Sequence, residues 1–294
     1  MKRTNTVKTR SLFLLIILIV FLLFPGCAAE KHLYGNPETG LILEYYLQKN
    51  KALKYRTENT MVQTMEVIDQ KMENTMSTNL VFTAKSKGQK QNNYQVGVTI
   101  DSAYIFVLTP QGDLSPDVRS LIGKSFDMSL SRLGKEEDFT GTESIVYTLQ
   151  GNTRDISLEF QTLFPNLPGR LIKTGETWIT KDTIKTKESG IEVLMTFDNI
   201  HTLSGFKTVD GFECVEVSTK SLGKIQGSGQ QGGVNISFDG NLEGSEIWYF
   251  AYKDGVFVKT TSDGFGAATV TVTGPQAAII PIGTVTKTRV SIIK

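Results

Sequence analysis

Tyr94-Gln95-Val96-Gly97-Val98-Thr99-Ile100 alternates apolar and polar residues without a break, and this stretch decides the fold. An extended strand sends successive side chains to opposite faces. Tyr94, Val96, Val98 and Ile100 therefore share one face, with Gln95, Gly97 and Thr99 on the other. One dry face and one wet face mark antiparallel sheet; parallel strands are covered on both faces and read as apolar throughout. After Asp101-Ser102 the alternation resumes with Tyr104, Phe106 and Leu108, which the pattern places on the same face. Upstream, Met76, Thr78, Leu80, Phe82 and Ala84 alternate, and so do Met61, Met65 and Val67 following Tyr55. Leu41, Leu43, Tyr45 and Leu47 form a further extended face. Polar turns fall at Asn50-Lys51 and at Lys87-Gly88-Gln89-Lys90.

Two segments break the two-residue period. Ser115-Pro116-Asp117 can cap and start a short helix that ends at Gly123. From Asn152 to Phe164, the apolar residues Ile156, Phe160, Leu163 and Phe164 fall on one helical face, with Asn152 as cap and Pro165 as stop. Pro165-Asn166-Leu167-Pro168-Gly169 is a dense breaker cluster and reads as a joint. Beyond it, strand patterns return at Trp178, Ile191 to Phe197, Phe212 to Thr219, Val234 to Phe238, Ile247 to Phe250, Val256 to Thr260, Val270 to Thr273 and Thr284 to Ile293. Gly227 to Gly233 reads as a flexible loop, Asp263-Gly264-Phe265-Gly266-Ala267 as a β-turn, and Lys135-Glu136-Glu137-Asp138 as a solvated hairpin tip. The spacing of Gly123, Phe126 and Gly134 matches that of Gly244, Ile247 and Gly255. This fits either an internal repeat or the ordinary recurrence of strand and glycine turn in a meander. The expected fold is mainly β: antiparallel sheets in two related halves, 41–164 and 170–294, flanking the joint at 165–169. One or two short helices accompany them, and the chain has the makings of a curled half-barrel.

The first 26 residues have a different character. Lys2, Arg3, Lys8 and Arg10 precede the uninterrupted apolar run Leu12 to Phe24, and Pro25-Gly26 breaks it. A basic start, a short apolar core and small residues before a cut site make a secretory signal peptide. The run is shorter than the roughly 20 residues a membrane-spanning helix needs. Leu23-Phe24-Pro25-Gly26-Cys27 resembles the lipobox of bacterial lipoproteins: Gly26 and Cys27 match it, while Phe24 and Pro25 depart from the usual pair. That resemblance implies a lipid-modified (palmitate-type) Cys27 and a body tethered to the cell-envelope membrane, outer membrane or cell surface, through residues 27–40. The other reading is a plain signal peptide cut after Ala28 or Ala29.

Composition excludes several functions. The chain has 31 Lys and Arg against 30 Asp and Glu. Losing the leader removes four basic residues and no acid, which leaves a mild net charge of about −3 and no electrostatic case for nucleic acid. Only two histidines occur, His32 and His201, so neither a triad nor a zinc site is supported. No P-loop motif occurs. Cys214, in an apolar run, reads as a buried inert thiol. No cofactor, metal or catalytic residue is expected.

Leu163-Phe164-Pro165-Asn166-Leu167-Pro168 through Gly175-Glu176-Thr177-Trp178, together with Trp248-Tyr249-Phe250 and Gly255, resembles a family of uncharacterised bacterial envelope lipoproteins. The resemblance implies location and β-architecture and no reaction. A weaker, fold-level likeness is to the half-barrel lipoprotein and lipid carriers of the envelope. The expected function is a lipid-anchored, non-enzymatic structural or interaction module. The alternative is a carrier of lipid or other apolar molecules, whose ligand would touch Met61, Met65, Phe82, Tyr104 and Phe106, because ligand sites are concave and mostly apolar.

Overall fold

The computed structural model describes residues 35–67, 70–149, 151–188, 190–231, 233–274 and 277–293. The leader, Cys27 and most of the tether lie outside the described residues. The strands are β1 (Gly35–Asn36), β2 (Gly40–Ile42), β3 (Ala52–Val67), β4 (Gln70–Lys90), β5 (Asn93–Thr109), β6 (Gly112–Asp113), β7 (Ser125–Leu130), β8 (Glu136–Thr140), β9 (Val146–Leu149), β10 (Asn152–Asp155), β11 (Leu171–Ile172), β12 (Thr177–Glu188), β13 (Ile191–Val209), β14 (Phe212–Gln231), β15 (Val234–Ala251), β16 (Val256–Thr273) and β17 (Ala278–Ile293). Twelve of them form one antiparallel sheet in the order β12-β13-β14-β15-β16-β17-β3-β4-β5-β7-β8, with β6 beside β5. The mainly-β, antiparallel expectation holds. Both halves of the chain enter this single sheet, because β17 pairs with β3 from Ile282–Met65 to Ile293–Lys54.

The sheet stays open: β12 and β8 are its edges and do not pair. At one end of the strands, called proximal here, the inner face is filled. Leu41, Leu43, Tyr45, Tyr147, Ile156, Phe160, Phe164 and Leu167 pack there against Tyr55, Phe82, Val98, Trp248, Phe250 and Phe257 of the sheet. Phe160 sits edge-on to both Phe82 and Phe126, with ring centroids 5.0 and 4.9 Å apart. Each such ring contributes about 1.5–3 kcal/mol by leaving water. The void recorded in this core is about 10 Å³, room for one water molecule at most.

The joint segment spans the gap between the edges. The Phe164 amide donates to Glu136 Oε1 on β8 at 2.6 Å, and Asn166 Nδ2 donates to Asp182 Oδ1 on β12 at 2.9 Å. Trp178 Nε1 donates to the Asn166 carbonyl, and the Leu167 amide to the Leu133 carbonyl. Gly134 makes this fit possible, since a Cβ there would lie 2.2 Å from the Pro165 carbonyl oxygen, at φ +96°. Pro165–Gly169 thus clasps the proximal end.

Several local expectations are corrected. Asn152–Asp155 is strand, and only Ile156–Phe160 turns, as a 3₁₀ helix capped by Asp155 rather than Asn152. The region after Ser115 keeps just Arg119–Leu121 as 3₁₀. Gly227–Gln231 is part of β14, and Gly264–Ala267 lies within β16, because both pair residue by residue with their neighbours. The tip at Lys135–Asp138 is not wholly solvated, since Glu136 turns its carboxyl group inward to the Phe164 amide. Gly123, Gly134 and Gly255 stand at positive φ, whereas Gly244 lies inside β15.

Candidate functional site

Register partners on neighbouring strands point to the same face, so the inner face can be read row by row across the sheet. Leu203, Val217, Trp248, Thr260, Val290, Thr57 and Leu80 form the last row of the filled core. The next row away from the core is polar on seven consecutive strands: His201, Thr219, Glu246, Ser262, Thr288, Asn59 and Thr78. Beyond it come Asn199, Ser221, Gly244, Gly264, Thr286, Met61 and Met76. Further out the face is apolar or small on β13 to β16, where Phe197, Gly223, Leu242 and Gly266 begin a row that continues through Thr284, Gln63 and Asn74 on β17, β3 and β4; the next row is Met195, Ile225, Gly240, Ala268, Ile282, Met65 and Met72, and the one after it Val193, Gly227, Phe238, Val270 and Ile280. These distal apolar residues are half-buried, and no described element of the fold is packed over them.

The polar row is ordered by its own hydrogen bonds. His201 is 4% exposed, its ring stacked on Trp178 with centroids 4.9 Å apart. Its Nε2 lies 2.9 Å from Thr180 Oγ1 and its Nδ1 2.8 Å from Thr219 Oγ1, which also accepts from Trp248 Nε1. Burial pushes His201 down to about 4, so the ring is neutral at neutral pH. Thr260 Oγ1 donates to Glu246 Oε1 at 2.6 Å, and Asn199 Nδ2 donates to Asp182 Oδ2 at 2.6 Å. Burial raises Glu246, and the Asp182 carboxylate raises it further. Asp182 is itself raised by burial, against the pull of its two asparagine donors and of the Lys135 charge. Burial takes Glu136 to about 8, opposed by the Phe164 amide and raised again by Asp182. Among the described residues, Glu246 and Asp182 make no ion pair.

Beside Glu246 the floor is bare. A Cβ added at Gly244 meets nothing closer than 3.5 Å, and one at Gly264 nothing closer than 3.6 Å. Other glycines on this face are already covered: a Cβ at Gly223 would lie 2.6 Å from the Phe197 ring, and one at Gly227 2.3 Å from the Phe238 ring. The open floor is thus confined to the two glycines next to the polar row. It forms a recess between Glu246 and Ser262 on one side and Leu242 on the other.

The five residues singled out from sequence separate. Met61 and Met65 lie on the bare inner face. Phe82 lies on the same face but is fully buried in the filled core, out of reach of any ligand. Tyr104 and Phe106 are on the outer face, and Tyr104 is 55% exposed. A bulge causes this inversion. Val81 pairs with Ser102 and Phe82 with Ile100, so Asp101 is extra, and one inserted residue turns every later side chain over. Ile105 and Val107 take the inner positions instead. Asp101 is held outside by Thr83 Oγ1 at 2.8 Å and Lys54 Nζ at 3.2 Å.

Sequence reasoning missed the polar row and the polar residues just beyond it because they come from different strands. Glu246, Asp182 and Asn199 carry no local motif. Their one sequence signal is a polar residue on an otherwise apolar strand face, and that becomes visible only once register is known. Cys214 is buried and its thiol is pushed up to about 12 by that burial. Among the described residues, no group of three or more His, Cys, Asp or Glu is placed to hold a metal. An open depression of about 680 Å³ lies near the distal ends of β12 to β15, lined among others by Lys185, Glu192, Gln226 and Asp239. The outer face also carries a line rich in apolar residues. Leu222, Phe265, Val285, Val62 and Leu108 share one cross-strand row, interrupted by Glu243 and Thr75, with Leu222 59% and Phe265 54% exposed.

No protein-family model matches the sequence, and no curated protein matches it. Solved structures to which the chain is similar include exported and outer-membrane proteins. One is a protein from Bacteroides fragilis, assigned as exported, with a YmcC-like fold: 9% identical, TM-score 0.27, over 85% of this chain and 97% of that one. Another is OccK2 of Pseudomonas aeruginosa, crystallised with glucuronate: 6% identical, TM-score 0.24, over 84% of this chain and 100% of that one. A third is a DUF1329 family protein of Desulfovibrio piger: 11% identical, TM-score 0.17, over 81% of this chain and 84% of that one. At identities and TM-scores this low, the likenesses carry no argument about what the chain does.

Proposed function

We propose that the protein is a non-enzymatic module of the bacterial cell envelope, anchored through lipid on Cys27, that holds the apolar part of a ligand on the distal half of its inner sheet face. One observation carries the reading: strands continue beyond the filled core with rows of Phe, Met, Ile and Val that no described part of the fold covers. Burying such a face is worth about 25 cal/mol per Å², and a fold leaves it bare at a cost unless something else covers it. The water-sized void in the core leaves no room for a ligand there, so the binder reading moves from the sheet's centre to its open end. Native mass spectrometry after gentle extraction tests it. A co-purifying apolar adduct is expected, lost in Phe238→Asp on the inner face and kept in Phe265→Asp on the outer face. The reverse pattern would overturn the reading. Mass spectrometry of the mature terminus is expected to show acylated Cys27; an unmodified terminus at Ala29 or Glu30 removes the anchor.

The outer line of Leu222, Phe265, Val285 and Leu108 favours a second reading, an interaction module that docks an envelope protein partner through that face. Phe265→Asp separates the two, since it strips this line and leaves the inner face intact.

A further inference from the structure

We infer that the recess between Glu246 and the bare floor of Gly244 and Gly264 takes the amine end of a single-chain amphiphile whose tail lies along the distal inner face. The inference rests on the proposed apolar-binding reading and adds the chemistry of the ligand's polar end.

Four observations carry it. First, the recess has space. Gly244 and Gly264 are direct register partners, and no neighbouring side chain lies over either, unlike the glycines covered by Phe197 and Phe238. Second, its wall offers acceptors. Glu246 receives one hydrogen bond, at Oε1 from Thr260, and among the described residues Oε2 receives none. Ser262 stands on the register position beside Glu246, and Ser221 on the one beside Gly244. An ammonium group has three donors and no acceptor, and this wall complements it. Third, the face selects by sign. From the polar row outward, no inner-face position on β13 to β17, β3 or β4 is Lys or Arg. Lys220, Lys224, Lys287 and Arg289 all occupy outer-face positions. A carboxylate or phosphate head at the recess would meet the Glu246 carboxylate with no inner-face Lys or Arg on these strands to receive it. Fourth, the apolar rows begin immediately beyond the recess with Leu242 and Phe197 and run on through Ile282 and Phe238. A chain whose head is fixed at Glu246 has a dry track to lie on. Burial without a buried cation also holds the Glu246 carboxyl above its ordinary range, and a bound ammonium supplies the missing charge.

The chain's two tryptophans report on the site: Trp248 bonds Thr219 within the polar row, and Trp178 stacks on His201. Tryptophan fluorescence is therefore titrated with dodecylamine, dodecanol and dodecanoate, each below its micellar concentration. Dodecylamine is expected to bind at least about tenfold more tightly than dodecanol, a gap of about 1.4 kcal/mol, and dodecanoate more weakly than either. Glu246→Gln keeps the Thr260 hydrogen bond and removes the charge. It is expected to bring dodecylamine down to the dodecanol level while leaving dodecanol unchanged. Gly264→Val, which fills the recess, is expected to weaken dodecylamine as well. Equal binding of amine and alcohol by the wild type, or an amine preference that survives Glu246→Gln, overturns the inference while the apolar reading stands. The wild-type comparison needs no variant, so a misfolded mutant does not blunt the test. If dodecanol fails to bind at all, the apolar reading falls, and the inference falls with it.

Discussion

The proximal and distal ends of this sheet are made from the same strands and differ in what lies on them. At the proximal end residues 41–47, which precede the first long strand, and residues 142–149 and 151–172, which join β8 to β12, fill the concavity, and the second stretch clasps the two edges at Phe164 and Asn166. At the distal end the strands continue past that filling with the same alternation, and none of the described elements is laid over them. The polar row from His201 to Thr78 marks the border. The difference teaches that alternation alone does not build a core. It prepares a dry face, and a second layer must arrive to use it. Stability should therefore reside at one end and binding at the other.

The largest expected effect breaks this comparison directly. Phe82 is fully buried between Tyr55 and Phe160. Phe82→Ala removes a ring from a core with no room to spare, and should cost about 3–5 kcal/mol in urea denaturation. Phe238→Ala removes the same ring from the half-exposed distal face and should cost about a third of that or less, since the ring leaves little buried area and no enclosed cavity. Equal costs would mean the distal face is covered after all.

The next effect is pH-dependent and belongs to the clasp. Burial raises Glu136 from its ordinary value to about 8 in the folded protein. Between about pH 4.5 and 8 the folded state therefore holds a proton that the unfolded chain has released, and stability falls as pH rises through that window. His201 acts the other way. Its folded value of about 4 lies below the ordinary 6.5, so the unfolded chain binds the extra proton, and stability is lost as pH falls from about 6.5 to 4. Glu136→Gln keeps an acceptor for the Phe164 amide and should remove the alkaline loss. The variant should gain on the wild type by a few kcal/mol between pH 5 and pH 8.5, since each pKa unit is worth about 1.4 kcal/mol. An advantage of the same size at both pH values would assign the effect to packing instead.

Much of the sheet was legible in the sequence, because a two-residue period survives wherever register is regular. Tyr94 to Ile100, Met76 to Ala84 and Ile191 to Phe197 all face as the alternation predicts. Legibility ended where one residue changed the phase. Asp101 has no counterpart on β4, and Tyr104 and Phe106 went to the wrong face because a bulge leaves the alternation intact on both sides of itself. The spacing of Ile156, Phe160 and Phe164 also misled. All three are buried, as a helical face would have them, yet a short 3₁₀ turn flanked by extended chain buries the same residues. The candidate site was illegible for a deeper reason. Glu246, Gly244 and Gly264 become neighbours of Ser221 and Ser262 only through pairing across strands, and pairing is a property of the whole sheet.

The smallest expected effect tests whether the recess is empty. Gly264 has an ordinary extended backbone, and a methyl group there would rest at 3.6 Å from the Thr286 Cβ, in normal contact. Glycine inside a strand carries an entropic cost of about 0.5–1 kcal/mol relative to alanine, so Gly264→Ala should stabilise the protein by about 0.5 kcal/mol. Gly227→Ala, on the same face, should do the opposite. Its methyl group would lie 2.3 Å from the Phe238 ring and 2.7 Å from the Glu192 carbonyl, and the backbone contact cannot be relieved by turning a side chain. A loss of about 1–2 kcal/mol is expected there, the usual cost of forcing extra volume into an occupied site. The two substitutions are chemically identical and stand on the same face of one sheet, so opposite signs in paired thermal melts would show that one glycine lies beneath a ring and the other beneath open space. If both destabilise alike, something fills the space above Gly264, and no recess is left beside Glu246 for a ligand to enter.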